Sequence, residues 1–239
     1  MSITDVEGPL PEPWDLVQGT DWASLEHAYG SAEEASSVLG GLLAADPSTQ
    51  ARAMRYLEDP VHHQNSIYSA TAPAALYVAV ALRDPRTAAM VPSREHGEYQ
   101  LRAAMLDWLQ SVANAVGDDA EAIRQRLGFP LERHPASVQV QTLRPALFRA
   151  VSPLLQDPEP TVREAAIAAA VSLLDAPELV QHRAALIPLA REVMTVSAKR
   201  SYRFIAVRGL RAWGEDTGHL SAVEDGDPWA VGCSSEPPF

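Results

Sequence analysis

One construction is written twice in this chain. Asp46-Pro47-Ser48-Thr49-Gln50-Ala51-Arg52 follows an apolar stretch ending Leu42-Leu43-Ala44-Ala45 and leads into Ala53, Met54 and Leu57. Asp157-Pro158-Glu159-Pro160-Thr161-Val162-Arg163 follows Leu154-Leu155-Gln156 and leads into Ala165, Ala166, Ala169 and Leu173. In both, the arginine stands six residues after the aspartate. Aspartate can cap the first amides of a helix, and proline fits its first turn, where no intrahelical donor is required. An arginine one turn in can reach back across the turn to a carboxylate or carbonyl. The alanines that follow let paired helices approach closely. A chain that repeats this turn is predicted to stack helix against helix. Its composition agrees: 46% of its residues are hydrophobic but only 6% are aromatic, so alanine and leucine carry the core, which suits helices better than sheets.

The expected fold is all-α, an α-solenoid of about four to five antiparallel helix pairs. Residues 1–20, with Gly8-Pro9-Leu10-Pro11-Glu12-Pro13, read as a loose arm. Residues 21–216 read as one helical repeat domain, and 217–239 as an acidic tail. Asp21 and Ser31 are candidate N-caps, and Glu34 stands where it would complete a capping box with Ser31. Residues 31–45 carry Ala35, Val38, Leu39, Leu42 and Leu43 at half-buried helical spacing. Looser copies include Leu82-Arg83-Asp84-Pro85, the stripe Leu101, Met105, Trp108, Val112, Val116, and the run Arg203 to Leu210 before Trp213-Gly214.

The net charge of −12 is unevenly spread: −9 over residues 1–60, −2 over 61–177, +5 over 178–213 and −6 from 214 onward. An acidic chain is a poor default ligand for nucleic acid, whose affinity comes mainly from phosphate neutralisation. The one cysteine, Cys233, excludes an internal disulfide framework and an all-cysteine metal site. No apolar run approaches the roughly 20 residues that cross a bilayer. The first residues lack the basic start and apolar stretch of a signal peptide. The expectation is a soluble, cytoplasmic protein.

The Asp-to-Arg turn, the Ala/Leu second helices and the prolines Pro145, Pro153 and Pro188 resemble HEAT repeats over roughly residues 21–216. Trp22-Ala23-Ser24-Leu25-Glu26-His27-Ala28-Tyr29-Gly30, with His63-Gln64-Asn65-Ser66-Ile67-Tyr68 after it, is further similar to a group of bacterial HEAT-like proteins. Those begin with a Trp-Leu-Ala-Tyr-Gly helix and carry a His-Gln…Tyr loop. Some of them look like immunity partners of secreted toxins. The resemblance implies a non-catalytic protein-binding module and, in a sharper version that also draws on the acidic charge of residues 1–60, an immunity-type protein that neutralises a basic toxin domain.

Enzyme signatures are missing from the sequence. No His-Glu-x-x-His, phosphate-binding glycine loop or Gly-x-Ser-x-Gly elbow occurs. Glu26-His27 and Glu95-His96 reverse the His-Glu order of helical-repeat iron hydroxylases. No cofactor and no metal are expected. The unusual local cluster is His62-His63-Gln64 with Tyr68; it reads as helix-end capping between repeats, as a contact patch for a partner, or, with distant help, as part of a metal site. A second cluster, Arg200, Arg203, Arg208 and Arg211 with Lys199, reads as a basic stripe, solvated and paired in part, or open to an acidic protein or a nucleic acid backbone. These residues are the candidate partner-binding set. The alternative function is nucleic-acid binding, resembling the HEAT-like alkylpurine DNA glycosylases, with Trp213 and Asp216 beside the basic segment.

Overall fold

A computed structural model of the chain describes residues 10–93 and 97–218. Ten α-helices run in order: α1 (Pro13–Gly19), α2 (Ala35–Leu39), α3 (Pro47–Tyr56), α4 (Thr71–Ala81), α5 (Leu101–Asn114), α6 (Asp118–Arg126), α7 (Pro135–Val151), α8 (Pro160–Leu173), α9 (Arg183–Val196) and α10 (Arg200–Ala212). The expected all-α class therefore holds for most of the described chain. Two short antiparallel hairpins interrupt it: β1 (Glu26–His27) with β2 (Gly30–Ser31), and β3 (Met90–Pro92) with β4 (Glu98–Gln100).

α4 and α8 form the centre. Every residue of α4 is buried, and α8 is buried from Ala165 through Leu173. A helix apolar on all sides has to be enclosed by others, and these two are. α4 lies along α7, α5 along α8, and α10 packs on both α8 and α9. Small side chains set the spacing. At Gly209 on α10 an added Cβ would overlap Val171 Cγ1 of α8, so glycine is what permits the close crossing.

The repeated turn takes the expected form with adjustments. Asp46 caps α3, accepting from the amides of Ser48 at 3.4 Å and Thr49 at 2.9 Å. In the second copy the cap moves to Glu159, which accepts from the Thr161 amide at 3.3 Å; Asp157 instead takes the Glu159 amide at 2.9 Å. Pro160, not Pro158, begins that helix. Arg163 reaches back as expected, donating from Nη1 to the Asp157 carbonyl at 2.7 Å. Arg52 is exposed; the Asp46 carbonyl, which matches that of Asp157, accepts the Thr49 and Gln50 amides, and Arg86 Nη1 donates instead to the Leu43 carbonyl at 2.7 Å.

Three local expectations give way. The segment 22–30 is not a helix but a short 3-10 turn, Trp22–Ser24, followed by the β1–β2 hairpin. Tertiary hydrogen bonds hold it extended: Glu26 N donates to Ser69 Oγ at 2.8 Å and Ala70 N to the Glu26 carbonyl at 3.1 Å. Gly30 closes the turn at φ +119°, a region costly to residues with a Cβ. The Ser31–Glu34 capping box does not form, because Ser31 lies in β2 and the Glu34 carboxylate turns to His27. Finally, residues 13–19 of the expected loose arm are helical; Val17 is buried and its carbonyl accepts the Trp22 indole N–H at 2.8 Å. At the other end, Arg191 binds the Asp216 carbonyl and the Glu215 carboxylate, and Arg211 donates to Thr217 Oγ1. The rest of the expected tail, with Trp229 and Cys233, lies outside the described residues, as do residues 1–9. No described helix is long and apolar enough to cross a membrane.

Candidate functional site

The two segments singled out in the sequence, 22–30 and 62–71, meet in space. Besides the Glu26–Ser69 and Ala70–Glu26 bonds, the Ala28 amide donates to the Pro60 carbonyl at 3.0 Å. The tip of the first hairpin is thus laid against the turn that precedes the histidines. Two histidine–carboxylate pairs result. His27, buried, donates from Nε2 to Glu34 at 2.9 Å, while its Nδ1 accepts the Tyr29 amide at 3.1 Å. That amide fixes which ring nitrogen carries the proton. His63, half-buried, sits 2.9 Å from Asp59 Oδ1, and the Tyr29 hydroxyl donates to the same oxygen at 2.8 Å. Tyr29 therefore joins both pairs, through its backbone to His27 and through its hydroxyl to Asp59.

The electrostatics follow the contacts. The hydrogen bond to Asp59, together with some desolvation and the carboxylate's charge, pushes the Tyr29 phenol up. Burial works to raise Glu34, but the hydrogen bond from His27, together with its own backbone and the nearby Tyr56 hydroxyl, outweighs it and holds the carboxyl below its ordinary value. Tyr56, between these groups, is pushed well above the phenol range by burial and by Glu34.

Next to this patch the backbone is strained. Gln64 has φ 49° and Asn65 φ 60°, two successive residues with side chains in the left-handed region, each of which costs on the order of 1 kcal/mol. What holds them is underneath. His62 is buried, with Nδ1 3.0 Å from the Ser66 carbonyl and Nε2 3.0 Å from Ser111 Oγ of α5. Ser111 also reaches Asn65 Oδ1 at 3.0 Å. The Trp108 ring meets the His62 ring edge-on, and its N–H donates to the Leu57 carbonyl at 2.9 Å, within the π-turn Leu57–Val61.

The predicted set therefore splits. His62 faces inward and braces the loop; it offers nothing to a partner. His63 and Gln64 face outward, and Tyr68 is half-buried, its amide donating to Thr71 Oγ1 at 2.9 Å. Tyr29, 62% exposed, Asp59 and Asn65 complete the patch and were not among the candidates. Tyr29 lay within the quoted motif, but no periodicity reveals that a hairpin carries it to His63.

The arginine stripe does not survive as an open surface. Arg203 donates to the Ser197 carbonyl at 2.8 Å, and Arg208 binds Asn114 Oδ1 at 2.5 Å and lies 3.7 Å from Asp119. Arg211 is turned to Thr217. Arg200 remains exposed. Lys199 lies over the Tyr202 ring and donates to its hydroxyl at 2.8 Å; Tyr202 in turn donates to Asp107 at 2.6 Å. Asp107, raised by burial against the pull of Lys199, lines a cleft of about 360 Å³ with Arg55, Glu58 and Tyr99. Sequence reading missed this relay because Asp107 and Tyr202 are 95 residues apart. Among the described residues no group of three or more His, Cys, Asp or Glu is placed to hold a metal ion.

The chain matches no protein-family model, and comparison with curated proteins and with solved structures returns no match.

Proposed function

We propose that this chain is a non-catalytic protein-binding module built as a HEAT-like helical solenoid, and that the patch of Tyr29, His63, Gln64 and Asn65 touches its partner. The repeat reading is supported by the lateral packing of α4 on α7, α5 on α8 and α8 on α10, and by the arginine-to-carbonyl bond that recurs at Arg163 and Arg203. Stacked helices of this kind build extended binding surfaces.

The observation that carries the binding site is the left-handed pair Gln64–Asn65 beside exposed Tyr29, braced from below by His62 and Ser111. A chain that holds two strained residues at its surface, braced by side-chain hydrogen bonds from Ser111 and a buried His62, is preserving a shape. Residues 1–60, which include Tyr29 and Asp59, carry a net charge of −9, so the partner chemistry that fits is a basic protein surface; the sharper form of the proposal is neutralisation of a basic toxin domain. Nucleic acid fits less well, since Arg203 and Arg208 are occupied by internal acceptors.

Affinity capture from the source cell, run in parallel with the wild-type chain and a Tyr29→Ala/His63→Ala variant, tests this reading. A stoichiometric basic protein recovered by the first and lost by the second is the expected result. Equal recovery by both would remove the patch from the interface, and recovery of nucleic acid alone would overturn the proposal.

A further inference from the structure

α6 buries none of its own residues. Nine residues are too few to hold a helix in water by propensity alone, since helices shorter than about 12 residues depend on packing an apolar face. The apolar face exists and points outward: Ile123 is 50% exposed, Leu127 67% and Phe129 72%. Ile123 and Leu127 stand four apart on one side of the helix. Gly128, at φ +81°, then ends the helix, with its amide on the Gln125 carbonyl and the Phe129 amide on the Arg124 carbonyl. This is the Schellman arrangement, which folds the residue after glycine back toward the helix side five or six residues earlier, here Arg124 and Ile123. Phe129 is thereby brought round to the side of Ile123 and enlarges the patch.

Charge says what covers it. The first turn of α6 is acidic, with Asp118, Asp119 and Glu121, and its last turn is basic, with Arg124 and Arg126. On the exposed side the order is Asp119, Ile123, then Arg126 and Leu127. Such a stripe is complementary to itself when reversed: laid antiparallel across a two-fold axis near Ile123, Asp119 of each copy approaches Arg126 of the other. A two-fold interface requires this self-complementarity, because the same patch serves both sides.

We propose that α6 and the turn to Phe129 form a self-association surface that pairs two copies of this chain antiparallel about Ile123. It shares no residue with the Tyr29–His63 patch, and its test uses the purified chain alone, so it stands or falls independently of the proposed function. One helix and one turn make a small interface, which places the dimer at the weak end, with Kd of roughly 10–100 µM.

Sedimentation equilibrium of the full chain over roughly 5 µM to 1 mM is expected to show a reversible monomer–dimer equilibrium in that range. Leu127→Asp and Phe129→Asp should each abolish it. Asp119→Arg and Arg126→Asp should each weaken it by about tenfold or more, because each places like charges opposite one another. Mixing these last two variants restores both pairs at once, and the mixture should dimerise about as well as the wild type. That recovery also separates the interface from the loss of Asp119's contact with Arg208 and from misfolding, neither of which mixing repairs. A chain monomeric to the top of the range overturns the proposal. So does a dimer indifferent to these variants, or a mixture that stays monomeric.

Discussion

Arg203 donates through Nη1 to the carbonyl of Ser197, six residues earlier, at 2.8 Å, and so ties the first turn of α10 to the end of α9. Arg163 does the same to Asp157 at the entrance to α8. Both arginines satisfy helix-end carbonyls that the backbone cannot satisfy itself. Replacing either with alanine should cost about 1–2 kcal/mol of stability, the range for a charged hydrogen bond partly open to solvent. Arg200→Ala, at an exposed position, should change stability by less than about 0.5 kcal/mol. Urea denaturation of the three variants gives the comparison, and equal losses at Arg200 and Arg203 would contradict it.

His62 makes stability depend on pH. Burial pushes its imidazole below the ordinary value of 6.5, against the pull of its Ser66 and Ser111 contacts. The unfolded chain then takes up a proton near 6.5 and the folded chain only at lower pH, so folding loses ground as pH falls below about 6.5. Urea midpoints should decline from pH 7.5 to pH 5, and His62→Asn should flatten that decline. Glu34, held below its ordinary 4.5, stabilises the fold above that value and loses its contribution at lower pH, outside the window assigned to His62.

Gly209→Ala should destabilise the fold even though alanine is the better helix former. The helix gain is about 1 kcal/mol, while the new methyl would overlap Val171 Cγ1, and overpacking of this kind costs about 1–3 kcal/mol. In a Val171→Ala background the obstruction is gone, and the same substitution should become neutral or stabilising. A double-mutant cycle by thermal or urea unfolding reads the change of sign directly.

Gln64→Gly should raise stability by about 0.5–1 kcal/mol, since glycine enters the left-handed region without the steric cost borne by glutamine, less its own entropic penalty. Asn65→Gly should gain less or lose, because the Asn65 side chain is engaged with Ser111. Urea unfolding of the two single variants separates backbone strain from side-chain anchoring.

Local chemistry could be read from the sequence where it is repeated and short in range. Asp46 caps its helix, Arg163 reaches back, and the apolar spacing of α5 and α8 marks buried stripes. What the sequence hid is long in range. The hairpin at residues 26–31 contains residues that read as helical, yet hydrogen bonds to Ser69 and Ala70 hold it extended, and propensity yields to such tertiary partners. Ser31 and Glu34 spell a capping box, but His27 competes for the same carboxylate and wins. The arginine stripe was misleading for a related reason. Charge counted along a chain does not reveal that Arg203, Arg208 and Arg211 each have an acceptor within the fold. His62 and His63 are neighbours in sequence with opposite fates, because the chain turns between helices there and sends one ring into α5 and the other toward Asp59.

The loop's dependence on α5 limits how this surface can be moved or trimmed. Gln64 and Asn65 keep their shape through Ser111 and, by way of Leu57, through Trp108. Both supports are held in place by α8, along which α5 lies. A fragment ending after α4 would contain every exposed residue of the patch and lack both supports. Grafting residues 26–71 onto another scaffold would transplant the letters of the surface without its geometry. Mimicry of this patch, by design or by divergence, has to carry a helix from the middle of the molecule along with it.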